Sequence, residues 1–371
     1  MNMMSKIHDR WKIATGRSIG LDAAVVETSG ACTNRCYMCP GRASKGVRKY
    51  MSASVFTKFL DQLAQMDFAG ELYLFGQNEP LLDKRIFDRV REAAERLPKA
   101  KLLFITNFTY CTPEMTEELI SLPLSRLTTS LYALTAKDYE AICGKDNFDR
   151  VIPNLVRFAK KWNDNRPYLF TVNLIKSPYN SHDKEFIDYF LNTIPCSGTA
   201  RFPVLRQRGV IQKKFAKWVF TKCLYNTVKV TDNGKMTLCS FDADAEMYIG
   251  HINDVSIDSA YDSEQARKIR KSIFYKCGGK KYKNFCPVCD YADEHKILYF
   301  LLPFGESFRK KLYKKIGFNK DHFEQWGKLF KHWNSPQEII KRSEHFERIF
   351  PNNGEDRVAQ LEAFRRSFFA E

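Results

Sequence analysis

The 371-residue sequence has no apolar run long enough to span a bilayer. The longest, Ile297–Phe304 (ILYFLLPF), falls far short of the roughly 20 residues a transmembrane helix needs. Met1–Gly16 (MNMMSKIHDRWKIATG) lacks the apolar core of an export signal. There is no internal repeat and no low-complexity linker. Acidic residues are the minority sign, 43 Asp+Glu against 59 Lys+Arg, for a formal charge of +16. These absences argue against secreted disulfide, membrane-spanning and disordered classes, and they lead us to expect a cytoplasmic chain. What remains is ordinary for a folded protein, with 44% apolar and 27% charged residues. The 11 cysteines are not ordinary. In a reducing compartment clustered thiols more often hold metal than form disulfides.

Short β-like runs alternate with amphipathic helical segments through the first 200 residues. Ala23–Thr28, Leu72–Phe75, Lys101–Thr106, Leu127–Leu131, Tyr168–Ile175 and Ala200–Val204 read as strands. Ser52–Met66 reads as a helix with Val55, Phe56, Phe59, Leu60 and Leu63 on one face, and Asp83–Leu97 as another. Thr112-Pro113-Glu114 supplies an N-cap followed by proline at the first helical position. Six βα units predict an α/β fold with a parallel sheet, doubly wound or barrel-like. We place boundaries near 215 and 296: a core over 1–215, a short-stranded cysteine-rich α+β segment over 216–295, and a helical, aromatic, basic extension over 296–371.

Directly after the first strand comes Cys32-Thr-Asn-Arg-Cys36-Tyr-Met-Cys39. Three thiolates on one tight loop cannot complete a tetrahedral zinc site unless a fourth ligand comes from elsewhere. They can hold three irons of a 4Fe–4S cube and leave the fourth open.

The run resembles the signature of radical S-adenosylmethionine (radical SAM) enzymes, and the resemblance continues through about residue 205. Leu74-Phe-Gly-Gln-Asn-Glu79-Pro-Leu-Leu82 resembles the family's Gly-Gly-Glu-Pro segment, which implies that Gly76 and Glu79 face the methionine amino group. Asn78 stands where the family has glycine, a replacement asparagine permits by tolerating left-handed backbone angles. Asn107 in Phe104-Ile-Thr-Asn107, Ser130 ending the fourth strand and Asn173 on the fifth are implied cofactor contacts, and Met38 is an implied neighbour of the adenine. Tyr132 replaces the more usual acidic residue. The resemblance implies a partial (β/α)6 TIM-like barrel. It also implies a 4Fe–4S cluster on Cys32, Cys36 and Cys39 that cleaves S-adenosyl-L-methionine to a 5′-deoxyadenosyl radical. An electron donor of the flavodoxin or ferredoxin type is implied as a partner.

A second group, Cys223-x10-Gly234-x4-Cys239 with Cys286-Pro-Val-Cys289, offers four thiolates for a closed zinc or iron–sulfur site. The first half resembles the opening of the SPASM extension, and Ile249-Gly-His-Ile252 resembles the turn that follows it. No cysteine follows Cys289, so the resemblance implies the shortened twitch form with one auxiliary 4Fe–4S cluster on Cys223, Cys239, Cys286 and Cys289. Cysteines 111, 143, 196 and 277 are left over as hydrogen-atom donors or ordinary buried thiols, with Cys277 the first candidate. Asp242 is a candidate base or a solvated loop carboxylate.

The expected reaction is oxidation or epimerisation of a carbon in a sugar or aminocyclitol. The substrate is expected to be a small molecule, phosphorylated or lipid-linked where the basic runs Arg201–Lys217 and Lys276–Lys283 meet it. Peptide modification is an alternative, although the family's peptide-recognition domain of about 80 residues does not fit before Cys32. The C-terminal extension reads either as a peripheral membrane contact or as helices packed on the barrel. A zinc-bearing basic nucleic-acid-binding protein is the alternative from another class. It leaves the Gly-Gln-Asn-Glu-Pro segment unexplained, and no nucleic acid is expected as a partner.

Overall fold

The computed structural model describes residues 9, 11–43, 49–133, 135–176, 194, 196, 198–203, 223–276, 279–282 and 285. The expectations resting on Cys277, Cys286, Cys289, the basic run 204–217 and the extension 296–371 lie outside these residues. One compact unit runs from Ile7 to Lys296.

Nine strands form one sheet: β1 Ala23–Val26, β2 Glu71–Tyr73, β3 Lys101–Thr106, β4 Arg126–Ser130, β5 Leu169–Lys176, β6 Gly198–Pro203, β7 Thr227–Val230, β8 Lys235–Thr237 and β9 Tyr248–His251. Their order is β6-β5-β4-β3-β2-β1-β7-β8-β9. The run from β6 to β1 is parallel throughout. Each predicted strand of the first 200 residues has its counterpart here, and the fold is a mixed α/β sheet in keeping with a partial TIM-like barrel. Parallel strands joined by helices put all their C-terminal ends on one edge, where loops gather functional groups.

The helices form for the reasons their sequences give. Ala53–Gln65 starts at Ser52, whose side chain accepts from Val55 N–H, and it buries Phe56, Phe59, Leu60 and Leu63. Positions three and four apart fall on one face, so a single apolar stripe meets the sheet. Pro113–Ser121 is capped by Thr112, which accepts from Met115 N–H. Phe148–Asn165 buries Val151, Leu155, Phe158, Ala159 and Trp162. Phe158, Phe170 and Phe108 meet edge to face or tilted between helix and sheet.

The connection beyond residue 222 was not foreseen. β7 pairs in parallel with β1 from Ala23↔Thr227 to Val26↔Val230. β8 and β9 then add antiparallel strands. A single sheet therefore crosses position 216. The helix Ala53–Gln65 reinforces the join: Gln62 donates to Ile252 O at 3.3 Å and accepts from Ile257 N–H at 2.8 Å.

Candidate active site

The Cys32–Cys39 loop leaves the C-terminal end of β1. Four backbone hydrogen bonds hold it: Glu79 N–H to Ala31 O (2.8 Å), Arg35 N–H to Cys143 O (2.8 Å), Tyr37 N–H to Ile142 O (3.0 Å) and Cys39 N–H to Cys36 O (3.0 Å). Two of these use the end of the helix Ala136–Cys143, which stops at Gly144 in the left-handed region at φ 65°. A Cβ on Gly144 would sit 2.6 Å from Arg35 O, so glycine lets the helix end meet the loop. Side chains complete the frame. Asn34 donates to Tyr139 Oη at 2.9 Å and accepts from Asn147 at 3.0 Å, and Asn107 Nδ2 donates to Thr33 Oγ1 at 2.8 Å.

None of these contacts uses a thiol. Met38 is buried, Cys32 is exposed, and Cys36 and Cys39 are partly exposed. Among the described residues no three His, Cys, Asp or Glu side chains converge as a single-ion site. Three sulfur donors on a loop fixed by other groups fit a cube with one open iron, and they are one donor short for closed zinc.

The next loop follows β2. Gly76 is required by Glu27: a Cβ there would lie 2.2–2.7 Å from the Glu27 side chain. Gly76 N–H donates to Asn78 Oδ1 (2.8 Å), and Asn78 Nδ2 reaches Ser29 Oγ (3.3 Å). Asn78 is not among the residues with positive φ, so it serves this loop through its side-chain amide rather than through left-handed backbone.

Glu79 is buried and turned into the sheet. Its carboxylate accepts from Thr106 Oγ1 (2.6 Å), Leu81 N–H (3.2 Å) and Asn107 N–H (2.7 Å). Burial pushes its pKa up to about 7 against the pull of those three bonds. Three donors on a group with about four acceptor sites leave little capacity for a further ligand. Asn107 spends Oδ1 on Thr109 N–H (3.0 Å). Ser130, the last residue of β4, and Asn173, within β5, are register partners, so the parallel pairing itself sets these two polar side chains beside each other. Desolvation raises the Tyr132 phenol well above its ordinary value, with Cys36 adding to the rise and Ser130 opposing it through a hydrogen bond.

In the second cysteine group, Cys223 opens the short helix Cys223–Asn226 that leads into β7, and Cys239 lies two residues past β8. Asp242 is not a solvated loop carboxylate. It is fully buried and accepts from Thr237 Oγ1 (2.8 Å), Glu246 N–H (3.0 Å) and Met247 N–H (2.7 Å). Those bonds fold the loop around it, which is a structural use of the carboxylate. Of the spare thiols, Cys111 and Cys143 are buried and Cys196 is partly exposed. Burial pushes the Cys111 thiol up to about 11, so it stays protonated.

Sequence reasoning missed a buried polar group where the two halves of the sheet meet. Glu27 at the end of β1, Gln77 after β2 and Lys229 within β7 are all buried and bonded to one another. The available signal was Lys229 itself, a lone charge in the apolar strand TVKV.

Comparison with known proteins agrees with this geometry. Residues 26–189 match the Radical SAM superfamily, and residues 222–290 match the SPASM iron–sulfur cluster-binding domain. An S-adenosyl-L-methionine-dependent 2-deoxy-scyllo-inosamine dehydrogenase from Niallia circulans is 27% identical over 144 residues. That alignment covers 35% of this chain and 57% of the dehydrogenase, so the chain spans little more than half of that relative's length. Among solved structures, BtrN in complex with AdoMet and 2-DOIA is 20% identical, with TM-score 0.51 over 73% of this chain and 93% of BtrN. SuiB of Streptococcus suis bound to its precursor peptide SuiA is 15% identical, with TM-score 0.56 over 76% of this chain and 74% of SuiB. At these identities the likeness is one of fold. The two domain matches decide between the iron–sulfur and zinc readings of the cysteines in favour of iron–sulfur. Among the described residues no helix is long and apolar enough to cross a membrane.

Proposed function

The chain belongs to the radical SAM enzymes and carries a SPASM iron–sulfur domain, and from that premise we propose that it oxidises a hydroxyl-bearing carbon of a small sugar or aminocyclitol to a ketone. The domains imply S-adenosylmethionine, a 4Fe–4S cluster that binds it and an auxiliary iron–sulfur cluster. We assign the first cluster to Cys32, Cys36 and Cys39 and the second to Cys223, Cys239, Cys286 and Cys289. When bound, these groups supply a carbon-centred oxidant that takes a hydrogen atom from an unactivated C–H bond, and an acceptor for the second electron.

The protein's part is positioning. Backbone contacts at Arg35, Tyr37 and Cys39 hold the loop that carries the first three thiols. Gly76 keeps the backbone after β2 free of a side chain, and Ser130 at the end of β4 offers a paired polar group with Asn173 of β5. Polar groups on rigid strand ends suit the hydroxyls and amines of a small polar substrate or of the cofactor's ribose. Glu79 acts by holding the turn Pro80–Leu82 against Asn107.

The observation that carries the reading is the three-thiol loop at the C-terminal end of β1, held by backbone amides and by Asn34 and Asn107. The dehydrogenase relative supports the choice of substrate class. The test is anaerobic reconstitution to about eight irons per chain, reduction, and assay of aminocyclitols in deuterated water. We expect S-adenosylmethionine consumption with one ketone formed per 5′-deoxyadenosine. A product of unchanged oxidation level carrying deuterium would mean epimerisation instead. Two zinc ions per chain and no cofactor cleavage would sink the reading.

A further inference from the structure

Lys229 sits in the middle of β7 with no exposed surface. Its Nζ lies 3.1 Å from Glu27 Oε1, donates to Gln77 Oε1 and donates to the Asp242 carbonyl at 3.1 Å. Gln77 in turn donates from Nε2 to the Ser240 carbonyl (2.7 Å) and from its backbone N–H to Glu27 Oε1 (2.6 Å). Asp242 N–H closes the chain of bonds on the Cys239 carbonyl at 3.0 Å. An ammonium has three protons to place, and here three separate segments each supply an acceptor. One is the end of β1, one is the loop after β2, and one is the loop after Cys239. A buried lysine is expensive unless every proton is met, so the three segments must hold one mutual arrangement.

We propose that Lys229 and Gln77 couple the two cofactor sites, so that the Gly76–Glu79 segment takes its S-adenosylmethionine-binding shape only when the auxiliary loop is intact. Lys229 is a positioning residue in this scheme and touches no reacting atom. The coupling rests on the assignment of Cys239 to the auxiliary cluster. By linkage it is reciprocal: S-adenosylmethionine bound on one side favours the ordered auxiliary loop on the other.

The test is a thermodynamic cycle on the full-length, anaerobically reconstituted protein. S-Adenosylmethionine dissociation constants are measured by equilibrium dialysis for four forms: wild type, Cys239→Ala, the charge-neutral pair Glu27→Gln/Lys229→Met, and their combination. Iron per chain is counted on each. Loss of about four irons in Cys239→Ala supports the ligand assignment. Unchanged iron overturns that assignment, whatever the binding data show. For the coupling, Cys239→Ala should weaken binding about tenfold in the wild-type background and clearly less in the neutral-pair background, where only the Gln77–Ser240 bond still joins the two loops. Equal weakening in both backgrounds, or none in the wild type, overturns it. Gln77→Leu removes the bonds to Ser240 and Lys229 while Lys229 keeps Glu27 and the Asp242 carbonyl, and it should likewise reduce the Cys239→Ala effect. It decides the matter if the pair variant does not fold.

Discussion

The two cysteine loops are fastened by different chemistry. The Cys32–Cys39 loop hangs on backbone amides, asparagines and a tyrosine hydroxyl, all neutral. The loop from Cys239 to Met247 hangs on a buried carboxylate, Asp242, and a buried ammonium, Lys229. Neutral bonds add modest stability one at a time, so losing one is tolerable. Buried charges hold several partners at once, and losing one strands all of them. The loop proposed to carry the first cluster is therefore assembled from many small pieces. The loop assigned to the closed auxiliary site depends on single residues.

That contrast breaks most visibly at Asp242. Asp242→Ala leaves two buried donors and one partly buried donor unmet at roughly 1–3 kcal/mol each, so we expect a loss of about 4 kcal/mol in anaerobic denaturation and depletion of auxiliary iron. Retention of both would mean that the loop does not depend on its charge.

Glu79 is the charged exception beside the neutral loop. Its folded pKa of about 7 lies above its ordinary 4.5, so the native state keeps the proton longer than the unfolded chain does. Stability should therefore fall as pH rises through that window and level off above about 7, by about 3 kcal/mol in all. Urea denaturation from about pH 5 to about pH 8 measures this, and Glu79→Gln should flatten the slope.

Gly76→Ala drives a methyl into Glu27 and should cost about 1–3 kcal/mol, and S-adenosylmethionine binding should weaken with it. Gly144→Ala strains a left-handed helix end and pushes on Arg35, for about 1–2 kcal/mol. Its iron content should barely change, because the neighbouring neutral bonds persist. If Gly144→Ala cost more than Asp242→Ala in the same assay, the ranking of the two loops would be reversed.

Most of the parallel half was legible because its signals are local. Ser52 and Thr112 mark helix starts through their own side-chain oxygens, and Phe56, Phe59, Leu60 and Leu63 declare a buried face by spacing alone. Ser130 could be placed at the end of its strand and Asn173 on the next, but their adjacency needed the observed register. The remainder depended on partners distant in sequence. β7 reads as an ordinary strand, and nothing within it announces that its neighbour is β1, some two hundred residues earlier. Asp242 stands in Phe241-Asp-Ala-Asp-Ala-Glu246, which looks like a wet loop. Only the folded turn shows that its amides close around one of those carboxylates. Lys229 offered only a lone charge in an apolar strand and Glu27 no pattern at all, because each acquires its role from the other.

The pairing of β7 with β1 has a consequence for the first half as a fragment. A core cut near residue 215 would leave β1 with one flank of unpaired N–H and C=O groups, beside the loop that carries Cys32, Cys36 and Cys39. Such a bare margin invites a second chain to add a strand. The auxiliary half is thus also the hem of the sheet, keeping the reactive loop's own strand from sticking to its neighbours.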